Sequence, residues 1–136
     1  MNYSLDRKEQ YALIDLKEGA FTDDVPAELE ELVRALFAED YQNIILKMDA
    51  TKDIDNNGAM VLRKINRLCS NNLGSFVVVT EDDDFIDQLD AAKIPDLEIL
   101  YSVEEAIDSV FMHALENEFG AGEDGYDDED YATDED

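Results

Sequence analysis

Basic residues are scarce in this sequence. Its 136 residues include 36 acids and only ten bases, which gives a formal net charge of −26 at pH 7. Residues 116–136 contain eleven of the acids and no base, so residues 1–115 still carry 25 acids against ten bases. Binding to phosphates of nucleic acids or to anionic lipids depends on clustered Lys and Arg. The composition therefore opposes direct contact with DNA, RNA or membrane surfaces.

Long apolar runs are also missing. The longest, such as residues 76–79, are far too short to span a bilayer. The first six residues, Met-Asn-Tyr-Ser-Leu-Asp, lack the charged and then apolar pattern of a signal peptide. These two features predict a cytoplasmic protein without a membrane anchor.

Residues that supply chemistry are few. Cys69 is the single cysteine, so it has no internal disulfide partner and no second thiol for a zinc site. His113 is the single histidine and is far in sequence from Cys69. A nucleophile, a base and a group that orients them cannot be assembled, and no glycine-rich phosphate loop occurs. We therefore expect a protein that is not an enzyme and that needs no cofactor.

A partial calcium motif is present but incomplete. Asp53, Asp55, Asn57 and Gly58 match the first half of an EF-hand loop. The twelfth position is Lys64, where that loop needs a bidentate glutamate, and the preceding segment has the pattern of a strand. We predict no metal site there. The acids at 81–84 are explained by the preference of helix N-termini for negative charge.

Apolar residues alternate between strand and helix patterns along the chain. The predicted strands lie near residues 3–5 and at residues 11–16, 43–48, 75–79 and 97–101. Amphipathic helices follow the second, third, fourth and fifth of these. This order predicts a single α/β domain with a mainly parallel sheet of four to five strands, an N-terminal antiparallel strand, and four helices as right-handed crossovers.

Four local features set the predicted helix ends. Pro26 suits the first turn of the first helix. Residues 71–74 tolerate left-handed backbone and close the second helix. Thr80 is the predicted N-cap of the third helix, and Ser102, with Glu105 as capping-box partner, caps the fourth.

The chain changes character near its end. We divide it into a domain at residues 1–117 and an acidic tail at residues 118–136, which has no apolar periodicity and is predicted to be disordered. The tail has two interpretations. It is either a solubilising extension or a segment that contacts a basic partner or mimics nucleic acid, through attraction that salt weakens.

A polar segment, Asp55-Asn56-Asn57-Gly58, joins the strand at residues 43–48 to the helix predicted to open at Ala59. Backbone N–H groups at a helix start have no partner within the helix, and such positions often bind ligands or partners. This segment is the first candidate for a functional site.

With this order of elements, the sequence resembles the STAS domain, the fold of bacterial anti-sigma factor antagonists and of the cytoplasmic ends of sulfate transporters. The resemblance covers about residues 9–115. It is carried by the strand at 44–49 with the turn at 54–58, which is similar to the family's Asp-Ser-Ser/Thr-Gly turn. Residues 76–79 and 102–107 resemble the family's next strand and its closing Ser-x-Glu-Glu-Ala-Leu motif.

The resemblance implies a regulator that binds an anti-sigma factor which is itself a serine kinase. In the family, that kinase phosphorylates a serine of the turn, and the phosphorylated protein dissociates from the kinase. The matching position here is Asn57, which has no hydroxyl, so the resemblance implies a binding turn without the phosphate switch. A phosphate would add a charge of about −1.5 to −2 there at pH 7. The predicted partner-binding residues are Asp55, Asn56, Asn57, Gly58, Ala59 and Met60.

Other interpretations of the turn stay open. The domain is alternatively a scaffold subunit of a signalling complex, or a module that binds a nucleotide or another small ligand at the turn. Asn56 and Asn57 are also simply good turn residues, because asparagine tolerates left-handed backbone and bonds its own main chain.

Overall fold

The computed structural model describes residues 1–119; the predicted disorder of the tail concerns residues that lie largely outside this range. The strands are β1 (Tyr3–Arg7), β2 (Ala12–Leu16), β3 (Ala20–Phe21), β4 (Ile44–Lys47), β5 (Asp53–Ile54), β6 (Phe76–Val79) and β7 (Glu98–Leu100). The helices are α1 (Val25–Ala38), α2 (Asn56–Asn71), α3 (Asp83–Ala91) and α4 (Val103–Phe119).

Five strands form the main sheet in the order β1-β2-β4-β6-β7. β1 pairs with β2 antiparallel, and the three other pairs are parallel. In the parallel part, Leu46 of the central strand β4 lies between Ile14 and Val78. The prediction of an α/β domain with a mainly parallel sheet, an antiparallel N-terminal strand and four helices is therefore confirmed.

Each face of the sheet buries its own apolar core, because successive side chains of a strand point to opposite faces. Side chains of α1, α2 and α3 cover one face, where Ile14, Leu46 and Val78 are buried. α4 covers the other face with Ala106 and Val110, which pack against Ile45, Val77 and Val79. All four residues of β6 are buried, as its continuous apolar run predicts.

A second, two-stranded sheet was not predicted. β3 and β5 pair parallel through Ala20 with Asp53 and through Phe21 with Ile54. Two-residue strands leave no alternation in the sequence, so the period-2 pattern gives no sign of them. Their pairing ties the segment before α2 to the segment before α1.

The helix ends agree with the sequence in part. Pro26 lies in the first turn of α1, and the Ser102 hydroxyl accepts a hydrogen bond from the Glu105 amide at 3.1 Å. The Thr80 prediction is wrong: Asp82 caps α3 and accepts from the Phe85 amide at 3.0 Å, whereas Thr80 is buried. An aspartate is an equally good cap, and it lies two residues further on.

α2 ends at Asn71, within the predicted range of residues 71–74. The left-handed residue of this range is Leu73, with φ of 61°. Gly74 is required for another reason: a Cβ atom there would overlap the backbone oxygen of Gln42. Chain packing, and not backbone conformation, explains that glycine.

No helix within residues 1–119 is long and apolar enough to cross a membrane.

Candidate functional site

The polar segment at residues 55–58 is the start of α2 itself. Asp55 has extended backbone and is the N-cap residue, and its Oδ1 accepts a hydrogen bond from the Gly58 amide at 2.7 Å. Asn56 is the first helical residue, so the expectation of a helix that opens at Ala59 is wrong by three positions. The cause is the Asp55 cap, which satisfies an amide that the helix leaves without a partner.

Gly58 allows the first turn of α2 to lie directly against β3. A Cβ atom at this position would lie 2.5 Å from the Phe21 backbone oxygen and 2.9 Å from Cγ1 of Ile54. The glycine has no positive φ, so close approach and not a special conformation requires it. The site is therefore built on the short β3–β5 sheet.

The loop before α2 is held by hydrogen bonds from two sides. The Thr51 hydroxyl donates to the Glu18 carbonyl at 2.8 Å, and the Lys52 amide donates to the Gly19 carbonyl at 2.8 Å. On the other side, Gln88 of α3 donates to the Lys52 carbonyl at 2.8 Å and accepts from the Ile54 amide at 3.2 Å. These contacts fix the backbone that leads into Asp55.

An ion pair adds to this arrangement. Lys52 Nζ lies 2.7 Å from Asp82 Oδ2. This hydrogen bond, followed by the one from the Phe85 amide, lowers the pKa of Asp82, and the same pair raises the pKa of Lys52. Both shifts favour the charged forms that connect the loop to the start of α3.

The six predicted site residues divide into an exposed and a buried group. Gly58 and Ala59 are buried; Gly58 lies against the β3–β5 sheet, and Ala59 lines a groove beside α2. The exposed members are Asp55, Asn56, Asn57 and Met60, the last with 45% of its surface accessible. Within residues 1–119, the side chains of Asn56 and Asn57 have no hydrogen-bond partner. They are consequently available for contact with another molecule.

An open groove of about 250 Å³ borders the start of α2 on the side of α3. Its lining combines apolar atoms with a few polar groups: Ile54, Asp55, Asn56, Ala59, Gln88, Ala91 and Ala92. None of these residues is basic. The groove therefore offers little for the binding of a phosphate group.

Gln88 was missed by the sequence analysis, although it lines the groove and holds the preceding loop. Nothing in its surroundings distinguishes it from other polar residues of an amphipathic helix. Its partners are backbone groups of residues 34 and 36 positions earlier. Only the folded arrangement brings them together.

The two residues considered for catalysis are separated. Cys69 is buried among the helices of one sheet face, and burial raises the pKa of its thiol to about 12. His113 is exposed on α4, which covers the other face. Residues 1–119 contain no group of three or more His, Cys, Asp or Glu side chains arranged to hold a metal ion.

Comparison with known proteins places this arrangement in a known fold. Neither family models nor curated proteins match the sequence. Among solved structures, a serine-to-glutamate variant of RsbS from Moorella thermoacetica has a TM-score of 0.71 at 15% identity, covering 85% of this chain and 99% of its own.

Two further structures give similar agreement. The anti-sigma factor antagonist SpoIIAA in its unphosphorylated form has a TM-score of 0.64 at 16% identity, covering 81% of this chain and 98% of its own. A chain of the stressosome, described as a signal integration and transduction hub, has a TM-score of 0.66 at 16% identity, covering 82% and 98%. The chain thus has the fold of the anti-sigma factor antagonists, the STAS fold that its sequence resembles.

Proposed function

We propose that this protein is a non-enzymatic regulator that binds an anti-sigma factor or a similar serine kinase, in the cytoplasm of a bacterium. The observation that carries the proposal is the exposed start of α2, where Asn56, Asn57 and Met60 project from a backbone fixed by Gly58 and the β3–β5 sheet. A rigid surface loses little conformational entropy when a partner binds.

The composition of this surface suits a protein partner. Met60 provides a flexible apolar contact, and the amides of Asn56 and Asn57 both donate and accept hydrogen bonds. Apolar contacts surrounded by polar groups are typical of protein interfaces. The known functions of the structural neighbours, an antagonist of an anti-sigma factor and a stressosome chain, support the same class of role.

Asn57 keeps the proposed interface in an unphosphorylated state. An amide accepts no phosphoryl group, so a kinase partner has no substrate at this position. SpoIIAA, by contrast, has been solved in a phosphorylated form. We propose that binding through this turn is not ended by phosphate transfer to residue 57, and that control of binding lies elsewhere.

A nucleotide-binding module is the alternative from another class. The groove beside Asp55 is its only support, and the absence of Lys or Arg from its described lining counts against triphosphate binding. ATP or GTP that bound only the folded protein would raise the melting temperature. We expect no shift at millimolar nucleotide.

The location of the interface is tested by affinity capture from lysates of the source organism. Met60→Asp places a charge in the proposed surface. Met112→Asp is the matched control, because Met112 is also an exposed methionine, with 60% of its surface accessible, but lies on α4 across the sheet.

Wild type and Met112→Asp are expected to retain a kinase-type anti-sigma factor, and Met60→Asp is expected to lose it. Circular dichroism checks that both variants fold. Retention of the same kinase by all three proteins, or of none by wild type, would refute the proposed interface.

A further inference from the structure

The exposed side of α2 is the one helical surface in residues 1–119 without an acid. α2 contains Arg63, Lys64 and Arg67 and no Asp or Glu, and no acid occurs anywhere in residues 56–80. The whole chain has 36 acids and ten bases. These 25 residues therefore carry a net positive charge in a chain whose net charge is strongly negative.

The bases lie on the same side of the helix as the candidate site. Residues at spacings of three and four share one face of a helix. Asn57, Met60, Lys64, Arg67 and Asn71 follow this spacing and are all exposed; we call these five residues the α2 stripe. The stripe runs from the proposed partner-binding turn to the C-terminal end of the helix.

The charges of the stripe are only weakly neutralised. Lys64 Nζ lies 3.9 Å from Glu30, whose carboxylate is engaged at 3.0 Å by Arg34 of the same helix. Arg67 has no ion pair within residues 1–119. Arg63, at the edge of the stripe, donates to the Ala92 carbonyl at 3.0 Å. Asp96 lines a pocket together with Arg63 and Arg67, but within residues 1–119 it forms an ion pair with neither. Lys64 and Arg67 therefore remain exposed cationic side chains along the helix.

The end of the described chain lies beside the end of this stripe. Asn117 of α4 donates from Nδ2 to the Leu73 carbonyl at 2.6 Å, and Leu73 follows α2 by two residues. Residues 120–136 continue from Phe119 and contain nine acids, no base, and the aromatic residues Tyr126 and Tyr131. A strongly acidic segment thus begins next to the acid-free surface.

The segment is long enough to reach the whole stripe. α2 has 16 residues and is about 24 Å long at 1.5 Å per residue. Seventeen residues span at most about 56–61 Å when extended. Covalent attachment also makes the encounter intramolecular, so weak ion pairs suffice where they would not between separate molecules.

We propose that residues 120–136 bind the α2 stripe of the same chain and cover the surface that leads to Asn57 and Met60. Acidic side chains pair with Lys64 and Arg67, and the tyrosine rings have Met60 as an apolar contact. The acidic surfaces of α1 and α3 repel the same segment and so direct it to α2. Control of partner access by this segment rests on the proposed function; the intramolecular contact does not.

Paramagnetic relaxation in the full-length chain tests the contact. A nitroxide is attached to Ala132→Cys. Cys69 does not compete for the label, because it is buried and its raised pKa, about 12, leaves almost no thiolate near neutral pH. We expect the label to broaden the amide signals of residues 60–71 more than those of the exposed face of α1, and to lose this effect in about 1 M NaCl, where the Debye length is about 3 Å.

Charge reversal supplies the matched control. Lys64→Glu with Arg67→Glu is expected to abolish the broadening along α2. Lys8→Glu with Lys17→Glu makes the same change in net charge at exposed positions outside α2 and is expected to preserve it. Broadening that survives the α2 reversal, or that is confined to residues next to Leu73 and Phe119, would overturn the proposal. No partner protein is present, so this failure would leave the proposed function intact.

Discussion

Gly58 is the residue on which the geometry of the candidate surface depends most. In an ordinary helix, alanine is more favourable than glycine by about 1 kcal/mol. Here the added Cβ atom would lie 2.5 Å from the Phe21 oxygen. We expect Gly58→Ala to lower the free energy of unfolding by about 1–3 kcal/mol, the usual cost of overpacking.

Urea denaturation measures this effect, and Gly19→Ala is its control. Gly19 has no atom within 4 Å of an added Cβ and no positive φ, so we expect no loss of stability there. Equal behaviour of the two variants would show that α2 does not approach β3 as closely as described.

Leu73 is the opposite case, a residue whose side chain does not suit its backbone. It has a left-handed φ of 61°, and 66% of its surface is exposed. A left-handed conformation costs an L-residue about 1–2 kcal/mol, and glycine avoids this cost. Part of the gain is offset because glycine loses more conformational entropy on folding. We predict that Leu73→Gly raises the free energy of unfolding by about 1 kcal/mol.

The control is Leu73→Ala, which removes the exposed side chain and keeps the strain. Thermal or urea unfolding should show a gain for glycine and none for alanine. A gain in both variants would assign the effect to the side chain instead of the backbone.

At the scale of elements, α3 supports the start of α2 through Gln88 and through the Lys52–Asp82 ion pair. The folded pKa of Asp82 is below its ordinary value, mainly because of the hydrogen bond from Lys52. A lowered pKa stabilises the fold above the unfolded value of about 3.9, and this contribution is lost as pH falls through the folded value.

Asp82→Asn isolates this charge, because asparagine is also a good N-cap. We predict a melting temperature below that of wild type at pH 7 and a difference that disappears as pH falls below about 4. Asp87→Asn, on the exposed middle of α3, is expected to show no such pH-dependent difference. A difference for Asp82→Asn that persists at low pH would show that the charge is not its cause.

The elements also show how far the sequence predicts the fold. The main strands have alternating or continuous apolar patterns and the four helices have helical periods, and their order predicts the parallel sheet with its antiparallel edge. β3 and β5 are too short to have a period, although they support the site. The observed starts of α2 and α3 differ from the predicted ones because several nearby residues are capable caps, and Asp55 and Asp82 are the ones that accept hydrogen bonds from the first turns.

The candidate site, too, has features that the sequence predicts and features that it does not. The sequence points to Asp55, Asn57 and Gly58, because the family turn and the capping pattern coincide there. It does not show that Gly58 lies directly against β3, or that Gln88 lines the groove. Both facts depend on contacts between residues that are distant along the chain.

At the scale of the whole molecule, the acid-free face of α2 and the acidic C-terminal segment lie close to each other. One face of α2 combines the proposed binding turn with the only acid-free surface among the described helices, and the acidic C-terminal segment begins at its end. The proposed regulator has no phosphate switch at residue 57. The proposed competition between its acidic segment and the partner would give it a control that depends on salt rather than on phosphate.

The central claim, binding at this turn without phosphate-controlled release, is tested most directly by the dissociation constant of the captured kinase before and after incubation with ATP. For wild type we predict the same constant in both conditions, because Asn57 accepts no phosphate. For Asn57→Ser we predict phosphorylation at residue 57 and weaker binding after ATP. Weaker binding of wild type after ATP, equal to that of Asn57→Ser, would contradict the account.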